Sequence, residues 1–370
     1  MQPRIARVVM MVVGLMATAP GSVGADEPPE RAAGPSDHAE ASEPDAAPDD
    51  ADADPAAPPA RRAPTGRFAI GAGYGPDQGF TATAEVRQDD LFGTGHQLEL
   101  ATELAARRAE ARMGYRAPAL VAPGLDLGAE VFARRRDDHG FARAGAGGAI
   151  SLSRWLGRST RAYVQYRAEL VTITPDDPIA LARAALVPRG RERIAALGVG
   201  LAHDTLDARV APRAGTRLEL LGEVADPGLG ATVAFARASA ALDHARPLGP
   251  LTLRVHGRLD YLRGLDGRAV PLSERLQHDG HADVRGYPIG SLDPPMASLA
   301  GGRDLEALGR IELEAPLSRR LGLAVAAFAD AGVGYNADPT WGPVGTTLAR
   351  SVGVSIIWRS PIGPLRFDWA

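Results

Sequence analysis

LTLRVHGRLDY, residues 251–261, alternates between apolar and polar side chains. Successive side chains of an extended strand point to opposite faces, so this segment has one apolar face and one strongly charged face. RAYVQYRAEL (161–170), TRLELL (216–221) and SVGVSIIW (351–358) repeat the pattern. The sequence therefore predicts many consecutive strands, each with an apolar and a charged face.

The length of these segments separates two kinds of β protein. Soluble sandwiches also alternate, but their strands are usually shorter and their polar face is outside. Segments of about ten residues or more suit strands that cross a membrane at a tilt. After residue 25 no segment has the roughly 18 uninterrupted apolar residues that a membrane helix needs. We predict an all-β fold, an antiparallel transmembrane β-barrel.

Fifteen strand-like segments are separated by turns rich in Gly and Pro. Turns after even-numbered segments are compact, apart from a longer one at 204–215. Connections after odd-numbered segments vary, and the one after the eleventh spans about 263–304. Short turns on one side and long loops on the other are typical of outer-membrane barrels. The segments begin near residues 68, 80, 96, 108, 125, 141, 161, 192, 216, 231, 251, 305, 321, 349 and 364.

The first 25 residues have the pattern of a signal peptide. Arg4 and Arg7 precede an apolar run from Val8 to Met16, and small residues at Val23 and Ala25 offer a cleavage site. A membrane anchor is the alternative, but the run is too short to span a bilayer. We expect cleavage after residue 25 and export of the mature chain.

Residues 26–66 differ in composition from everything that follows. Between Asp26 and Pro59 there are eleven acidic residues, one Arg and no aromatic residue. Such a segment cannot bury enough apolar surface to offset its ordering entropy. The predicted organisation is a signal peptide (1–25), a disordered acidic leader rich in Pro and Ala in the periplasm (26–66), and an outer-membrane β-barrel domain (67–370).

Composition excludes several classes of function. The chain has no Cys, which rules out disulfides and thiolate chemistry. Its formal net charge is −4, and nothing in it points to nucleic acid. His203-Asp204-Thr205 suggests a barrel hydrolase, but no nucleophile elbow accompanies it. His278, Asp279 and His281 suggest a metal site, but no rigid element fixes them. We expect no enzyme activity, no cofactor and no metal.

Val284-Arg285-Gly286-Tyr287 lies inside the long connection after the eleventh strand. Loops of this length without regular structure are usually functional or disordered. The Arg285 guanidinium is a planar fork suited to bidentate pairing with a carboxylate. Gly286 permits a tight turn, and Tyr287 adds a ring whose hydroxyl needs a partner.

Carboxylates on the next two strands could receive that arginine. Strand parity puts Glu312 and Glu314 on one face, opposite Ile311. It likewise separates Asp330 from its alanine neighbours. If the apolar side chains meet lipid, the carboxylates face the lumen. The alternative is that these are ordinary lumenal charges that compensate one another.

The turn sequences, taken in order, resemble the bacterial surface antigen family, the outer-membrane assembly-factor barrels of BamA and TamA type. Each motif is short, but their order and spacing are those of the family over about residues 68–370. The matching motifs are QDDLFGTGHQLEL (88–100), with Asp90, Phe92, Gly93 and Gly95; HDTLDARVAPRAGTRLEL (203–220), with Asp204, Asp207 and Gly215; PLSERLQHDGHADVRGY (271–287); GGRDLEALGRIELEAPL (301–317); FADAGVGY (328–335); and SVGVSIIWRSPIGPLRFDWA (351–370).

The resemblance implies a barrel of sixteen strands whose sixth outer loop is inserted into the lumen. It implies that Arg285 pairs with Glu312 and Asp330, with Glu314 a weaker candidate. It also implies a role in outer-membrane protein assembly or translocation in the bacterial outer membrane. The implied partners are outer-membrane lipid, unfolded outer-membrane proteins and periplasmic or lipoprotein partners.

Two departures from the family pattern limit this transfer. Only the leader occupies the place of the periplasmic polypeptide-transport-associated (POTRA) domains, which capture chains by strand addition. The segment LRFDWA corresponds to the fifteenth strand, so we expect a truncated chain, a wrongly divided segment or a partner strand. The alternative function is a passive pore or structural surface antigen derived from the family, and a truncated paralogue is a third reading.

Overall fold

The computed structural model describes residues 9–11, 65–75, 79–138, 141–175, 191–208, 211–292, 302–341, 343–360 and 363–370. The predicted signal peptide, apart from residues 9–11, lies outside this part of the chain. So does the predicted leader up to residue 64. Among the described residues, no helix is long and apolar enough to cross a membrane.

Within the described residues the structure has fifteen long strands, which confirms the predicted all-β fold and the number of visible strands. Each begins within four residues of its predicted start. A three-residue strand, β1 (Val9–Met11), precedes them. The long strands are β2 (Gly66–Gly75), β3 (Gly79–Leu91), β4 (His96–Ala105), β5 (Arg108–Ala122), β6 (Leu125–Asp137), β7 (Phe141–Trp155), β8 (Thr160–Pro175), β9 (Arg191–Asp204), β10 (Gly215–Ala225), β11 (Phe235–Leu248), β12 (Leu251–Gly264), β13 (Leu305–Ser318), β14 (Leu323–Asn336), β15 (Gly345–Ser360) and β16 (Gly363–Trp369).

The strands form one sheet in which every long strand pairs antiparallel with the next along the chain. β1 pairs with β16 at one end, and β2 is the other end. Within the described residues β2 and β16 do not pair, so the sheet is barrel-like but not closed. Three short 3₁₀ helices lie between strands, at Pro227–Leu229, Gly280–Ala282 and Pro339–Trp341.

The two faces of the sheet differ in chemistry, as the alternation predicts. On β13 the side chain of Ile311 is 54% exposed, whereas Glu312 and Glu314 are buried. Large apolar residues stand exposed along the outer face of other strands, among them Phe68, Ile150, Val199 and Val352. The charged residues therefore line the lumen, and the apolar face is directed outward.

The predicted turn residues shape two connections, a compact one after β3 and the longer one after β9. Between β3 and β4, Asp90 accepts a hydrogen bond from the Gly95 amide at 2.7 Å, and Phe92, Gly93 and Gly95 have positive φ. Phe92 is exposed.

Between β9 and β10, side-chain oxygens of aspartates cap the backbone in the same way. Asp204 accepts from the Leu206 amide at 3.0 Å and Asp207 from the Arg213 amide at 2.9 Å. Gly215 has φ of 108°, and a Cβ there would lie 2.1 Å from the Thr205 carbonyl oxygen, so the turn requires glycine.

Candidate functional site in the lumen

Residues 265–304, here called the lumen loop, connect β12 to β13, and their described parts, 265–292 and 302–304, contact the charged face of the sheet. The chain around the Val-Arg-Gly-Tyr segment is held by local turns. The amide of Val284 donates to the Gly280 carbonyl at 3.0 Å, and that of Tyr287 to the Val284 carbonyl at 3.2 Å. Gly286 has φ of 87°, a left-handed conformation that favours glycine. This turn aims Arg285 at β13 and β14.

Arg285 makes its main contact with Asp330 on β14. Its Nε and Nη2 donate to the two carboxylate oxygens at 2.7 and 2.6 Å. The backbone amide of Arg285 donates to the same carboxylate at 3.1 Å. Both side chains are buried, so the pair is a bidentate, charge-assisted contact shielded from water.

Glu312 on β13 is the second carboxylate that contacts Arg285. It accepts from Nη1 at 3.2 Å. Arg366 of β16 also donates to both Glu312 oxygens, and Arg254 lies 3.4 Å away. Glu312 is thus shared among three arginines, whereas Asp330 serves Arg285 through both of its oxygens.

Two contacts of Arg285 have no counterpart in the sequence-based expectation. The guanidinium carbon lies 3.5 Å from the ring centroid of Phe328, a cation–π arrangement. Asp368 lies 4.0 Å from Nη1. The alternation along β14 puts Phe328 and Asp330 on one face, which is the signal that could have identified the ring.

The neighbours of Arg285 in the motif have separate contacts. Val284 is fully buried and packs with Leu292, Leu308 and Ala349. Tyr287 donates its hydroxyl to the Arg350 carbonyl at 3.1 Å and accepts from the Arg350 amide at 3.2 Å. The motif therefore reaches β13, β14 and β15 together.

Glu314, the weaker candidate, is not brought to Arg285. It binds Arg254 at 2.6 Å and Arg359 at 2.6 Å. All three residues lie on strands, so Glu314 links strands of the sheet to one another and does not link the sheet to the loop.

Acidic residues of the lumen loop contact arginines of other strands, which the sequence motifs did not predict. Asp279 pairs with Arg136 of β6 at 2.6 Å, and Asp283 lies 3.4 Å from Arg258 of β12. Burial alone would raise the pKa of Asp283, but the charges of Arg258 and Arg303 and the hydrogen bond from the Asp279 amide are among the contributions that together lower that pKa. The alternation signals only that arginines face the lumen; which one meets which loop residue depends on how the loop folds.

His278 directly precedes Asp279 and is fully buried. Its Nδ1 accepts a hydrogen bond from the Gly280 amide at 3.2 Å. Burial lowers the pKa of His278 to about 4, although Asp283 and Asp279 oppose the effect. The ring is therefore neutral at physiological pH.

The residues considered for a metal or a hydrolase have other partners. Asp279 is turned to Arg136, His278 to Gly280, and the Nδ1 of His281 accepts from the Gly286 amide at 3.0 Å. Within the described chain no group of three or more His, Cys, Asp or Glu residues could hold a metal ion. His203 contacts Thr160 at 2.8 Å, while Asp204 caps a turn.

A family model decides the relationship of this chain to known proteins. The model of the Omp85 superfamily domain matches residues 90–370. The chain belongs to the Omp85 superfamily. The match covers β4 to β16 and the whole lumen loop, so the Arg285 contacts lie inside the Omp85 domain.

Curated relatives carry the name outer membrane protein assembly factor BamA. The chain is 27% identical over 316 residues to the protein of Nitratidesulfovibrio vulgaris, covering 82% of this chain and 39% of the relative. It is 25% identical over 358 residues to that of Neisseria meningitidis, covering 83% and 44%. The chain therefore spans about two fifths of the length of these relatives.

Solved structures support the fold. BamA from Haemophilus ducreyi, solved without POTRA domains 1–3, aligns with a TM-score of 0.69 at 20% identity, over 83% of this chain and 66% of that one. CdiB from Escherichia coli aligns with a TM-score of 0.55 at 14% identity, over 83% and 63%. At these identities the likeness concerns the Omp85 barrel fold alone.

Proposed function

We propose that this Omp85 chain acts in the assembly, insertion or translocation of outer-membrane proteins, without covalent catalysis. The observation that carries the proposal is the attachment of a loop inside the barrel through Arg285, Asp330 and Glu312, in a chain similar to named assembly factors. The attachment acts as a lock that holds the lumen loop in place. Because the chain matches only part of its relatives, its own activity has to be tested directly.

The outer membrane is the proposed location, reached after removal of residues 1–25, with the acidic leader in the periplasm. The outward apolar face, for example Ile311 and Val352, suits contact with lipid. Determination of the mature N-terminus tests the first step, and Asp26 is the expected first residue.

The proposed mechanism uses the free end of the sheet near Phe68–Tyr74. Within the described residues β2 forms strand pairing only with β3, and β1, which contacts β2 without pairing with it, belongs to the predicted signal peptide. Unpaired backbone groups in lipid cost several kcal/mol each, and an edge of this kind is a template for strand addition. Such a seam, with local thinning of the bilayer, would lower the barrier for a client strand. Unfolded outer-membrane proteins are the proposed clients, and periplasmic or lipoprotein factors the proposed helpers.

Depletion of the protein tests the role. Accumulation of unfolded outer-membrane proteins is the expected result, and it should be reversed by the wild-type chain but not by Arg285→Glu. Arg319→Glu is the matched control, because it reverses an exposed arginine in the turn after β13. Unchanged client levels combined with altered solute permeability would instead identify a passive pore.

A further inference from the structure

Glu274 occupies a second charged site, far along the lumen loop from Arg285. Its carboxylate lies 3.0 Å from Arg237 of β11, 3.4 Å from Arg143 of β7 and 3.4 Å from Arg167 of β8. Arg237 also donates to the Glu274 backbone carbonyl at 3.0 Å. The side chain is buried, so one loop residue joins three strands at a point shielded from water.

Glu274 lies in a part of the sheet that is rich in buried charges. Four arginines gather there with three carboxylates of the strands, and Glu274 adds a carboxylate from the loop. Arginines that lose a buried partner are left with an uncompensated charge, which is strongly destabilising. The arginines are Arg134, Arg143, Arg167 and Arg237, and the wall carboxylates are Glu169, Glu192 and Glu223.

The residues beside Glu274 are fastened to the same wall. Ser273 donates its hydroxyl to Glu192 of β9. Val270 belongs to a buried apolar cluster with Phe235 and Leu262, and Leu272 is also buried. This half of the loop is therefore held by packing as well as by charge.

The two attachments share no strand residue. The Glu274 site uses β7, β8, β9 and β11, whereas Arg285 uses β13 and β14, with Val284 packed on Leu308 of β13. Residues without shared partners tend to contribute independently. Releasing one site removes no direct contact of the other.

We propose that Glu274 is a second, independent anchor of the lumen loop, a positioning residue that holds residues 270–274 when the Arg285 attachment is open. The Glu274 and Arg285 sites then hold the loop through opposite charges, beside the Asp279–Arg136 and Asp283–Arg258 pairs. Release of the loop requires the opening of both sites. The proposal shares Arg285 with the proposed function but does not depend on assembly activity.

The absence of native Cys makes a direct test available, because a single introduced thiol is the only one in the chain. Val270→Cys reports on the Glu274 half and Val284→Cys on the Arg285 half, since both positions are buried. Each reporter is labelled with a maleimide in the folded protein, in three backgrounds: Glu274→Gln, Arg285→Gln and Glu314→Gln. The last is the matched control, a buried carboxylate paired with arginines but not with the loop.

If the two anchors are independent, each substitution should expose the reporter cysteine in its own half of the loop and leave the other reporter protected. Glu274→Gln should raise the labelling rate at position 270 by roughly tenfold or more and leave position 284 protected. Arg285→Gln should do the reverse, and Glu314→Gln should change neither. If Arg285→Gln exposes both positions, or Glu274→Gln exposes neither, the second anchor does not exist.

Folding is checked in each variant by heat-modifiable migration. If Glu274→Gln does not fold, Arg237→Gln replaces it, because two arginines then remain on Glu274. In Arg237→Gln, an increase in the labelling rate at position 270 alone, smaller than that expected for Glu274→Gln, supports the anchor. No increase in this rate refutes it. If depletion of the protein leaves client levels unchanged while each substitution still exposes only its own reporter, the proposed function is refuted and the anchor is not.

Discussion

The two charged sites of the lumen loop hold it by opposite means. At the first site a single arginine, Arg285, contacts carboxylates and donates two parallel hydrogen bonds to Asp330. At the other, a single carboxylate lies among several arginines at 3.0 to 3.4 Å. The pairs differ in geometry: a guanidinium fork matched to one carboxylate is directional, while a carboxylate shared by many arginines is held mainly by charge.

This difference in geometry suggests that the two sites have different roles in holding the loop. The directional Arg285 site sets where the tip of the loop sits on β13 and β14. The Glu274 site, backed by the packing of Val270 and Leu272, keeps the rest of the loop against the wall. Burial alone would raise the pKa of Glu274, but Arg167, Arg237 and Arg143 outweigh it and lower that pKa well below its usual range. The carboxylate therefore stays charged at any physiological pH.

Charge reversal at Arg285 should release the loop more strongly than any other substitution considered for the two sites. Arg285→Glu places a third acid beside Asp330 and Glu312, and disruption of a buried pair costs about 3–5 kcal/mol. We expect the loop tip to open, seen as rapid maleimide labelling of Val284→Cys and altered heat-modifiability. Wild-type labelling and conductance in this variant would refute the lock, and Arg319→Glu serves as the control.

Acidification should loosen the loop between the two sites through His278. Its pKa is lowered to about 4 in the folded state, from an ordinary value near 6.5. The neutral ring therefore contributes stability above about pH 6.5, and this is lost as the pH falls through 4. The total is roughly 3 kcal/mol. Labelling of Val284→Cys at a series of pH values measures the effect.

The control for this pH dependence is His278→Gln, which has no titrating ring. The variant should show a flatter response between pH 6.5 and 4. An identical response in both proteins would assign the effect to another group, such as Asp283, whose pKa is lowered.

The two carboxylates around Arg285 should be unequal. Asp330→Asn removes the charge from the bidentate partner and should weaken the loop tip by about 2 kcal/mol. Glu312→Gln should weaken it by less than about 1 kcal/mol, because Glu312 makes one longer contact with Arg285 and is shared with Arg366. The comparison uses labelling of Val284→Cys, and equal effects would contradict the assigned directionality.

Removal of the Tyr287 hydroxyl should have the smallest effect. Tyr287→Phe loses two hydrogen bonds to the backbone of Arg350 on β15, a net loss of about 1 kcal/mol at a partly exposed position. The expected outcome is a modest increase in labelling at position 284 and none at position 270. A change at position 270 would show that the two sites communicate.

Much of the fold could be read from the sequence because the alternation has a period of two. A strand that must be apolar outside and charged inside has only one register, because a slip of one residue would move every side chain to the opposite face of the sheet. The fifteen strands were predicted in this way. The turns could be read too, since Gly215 and the aspartates at 90 and 207 satisfy local backbone requirements.

The candidate site was only partly readable. Parity placed Glu312, Glu314 and Asp330 on the lumen side without choosing among them, and the family resemblance implied Glu312 and Asp330, with Glu314 weaker. The structure brings Arg285 to Asp330 and Glu312 and leaves Glu314 with wall arginines. Neither Phe328 beneath the guanidinium nor Glu274 among its arginines was predicted, because no periodic pattern encodes the path of a loop.

The sequence by itself determined the strand count, the two-faced wall and the family, because these depend on neighbouring residues and on local motifs in order. Apart from the pairs of Arg285 that the family resemblance implied, only the tertiary structure decided which charges meet across the lumen. Those pairs join residues far apart in the chain, such as Glu274 with Arg143, and they form only when the curved sheet surrounds the loop. Their energies also depend on burial, since ion pairs hidden from water are far stronger than exposed ones.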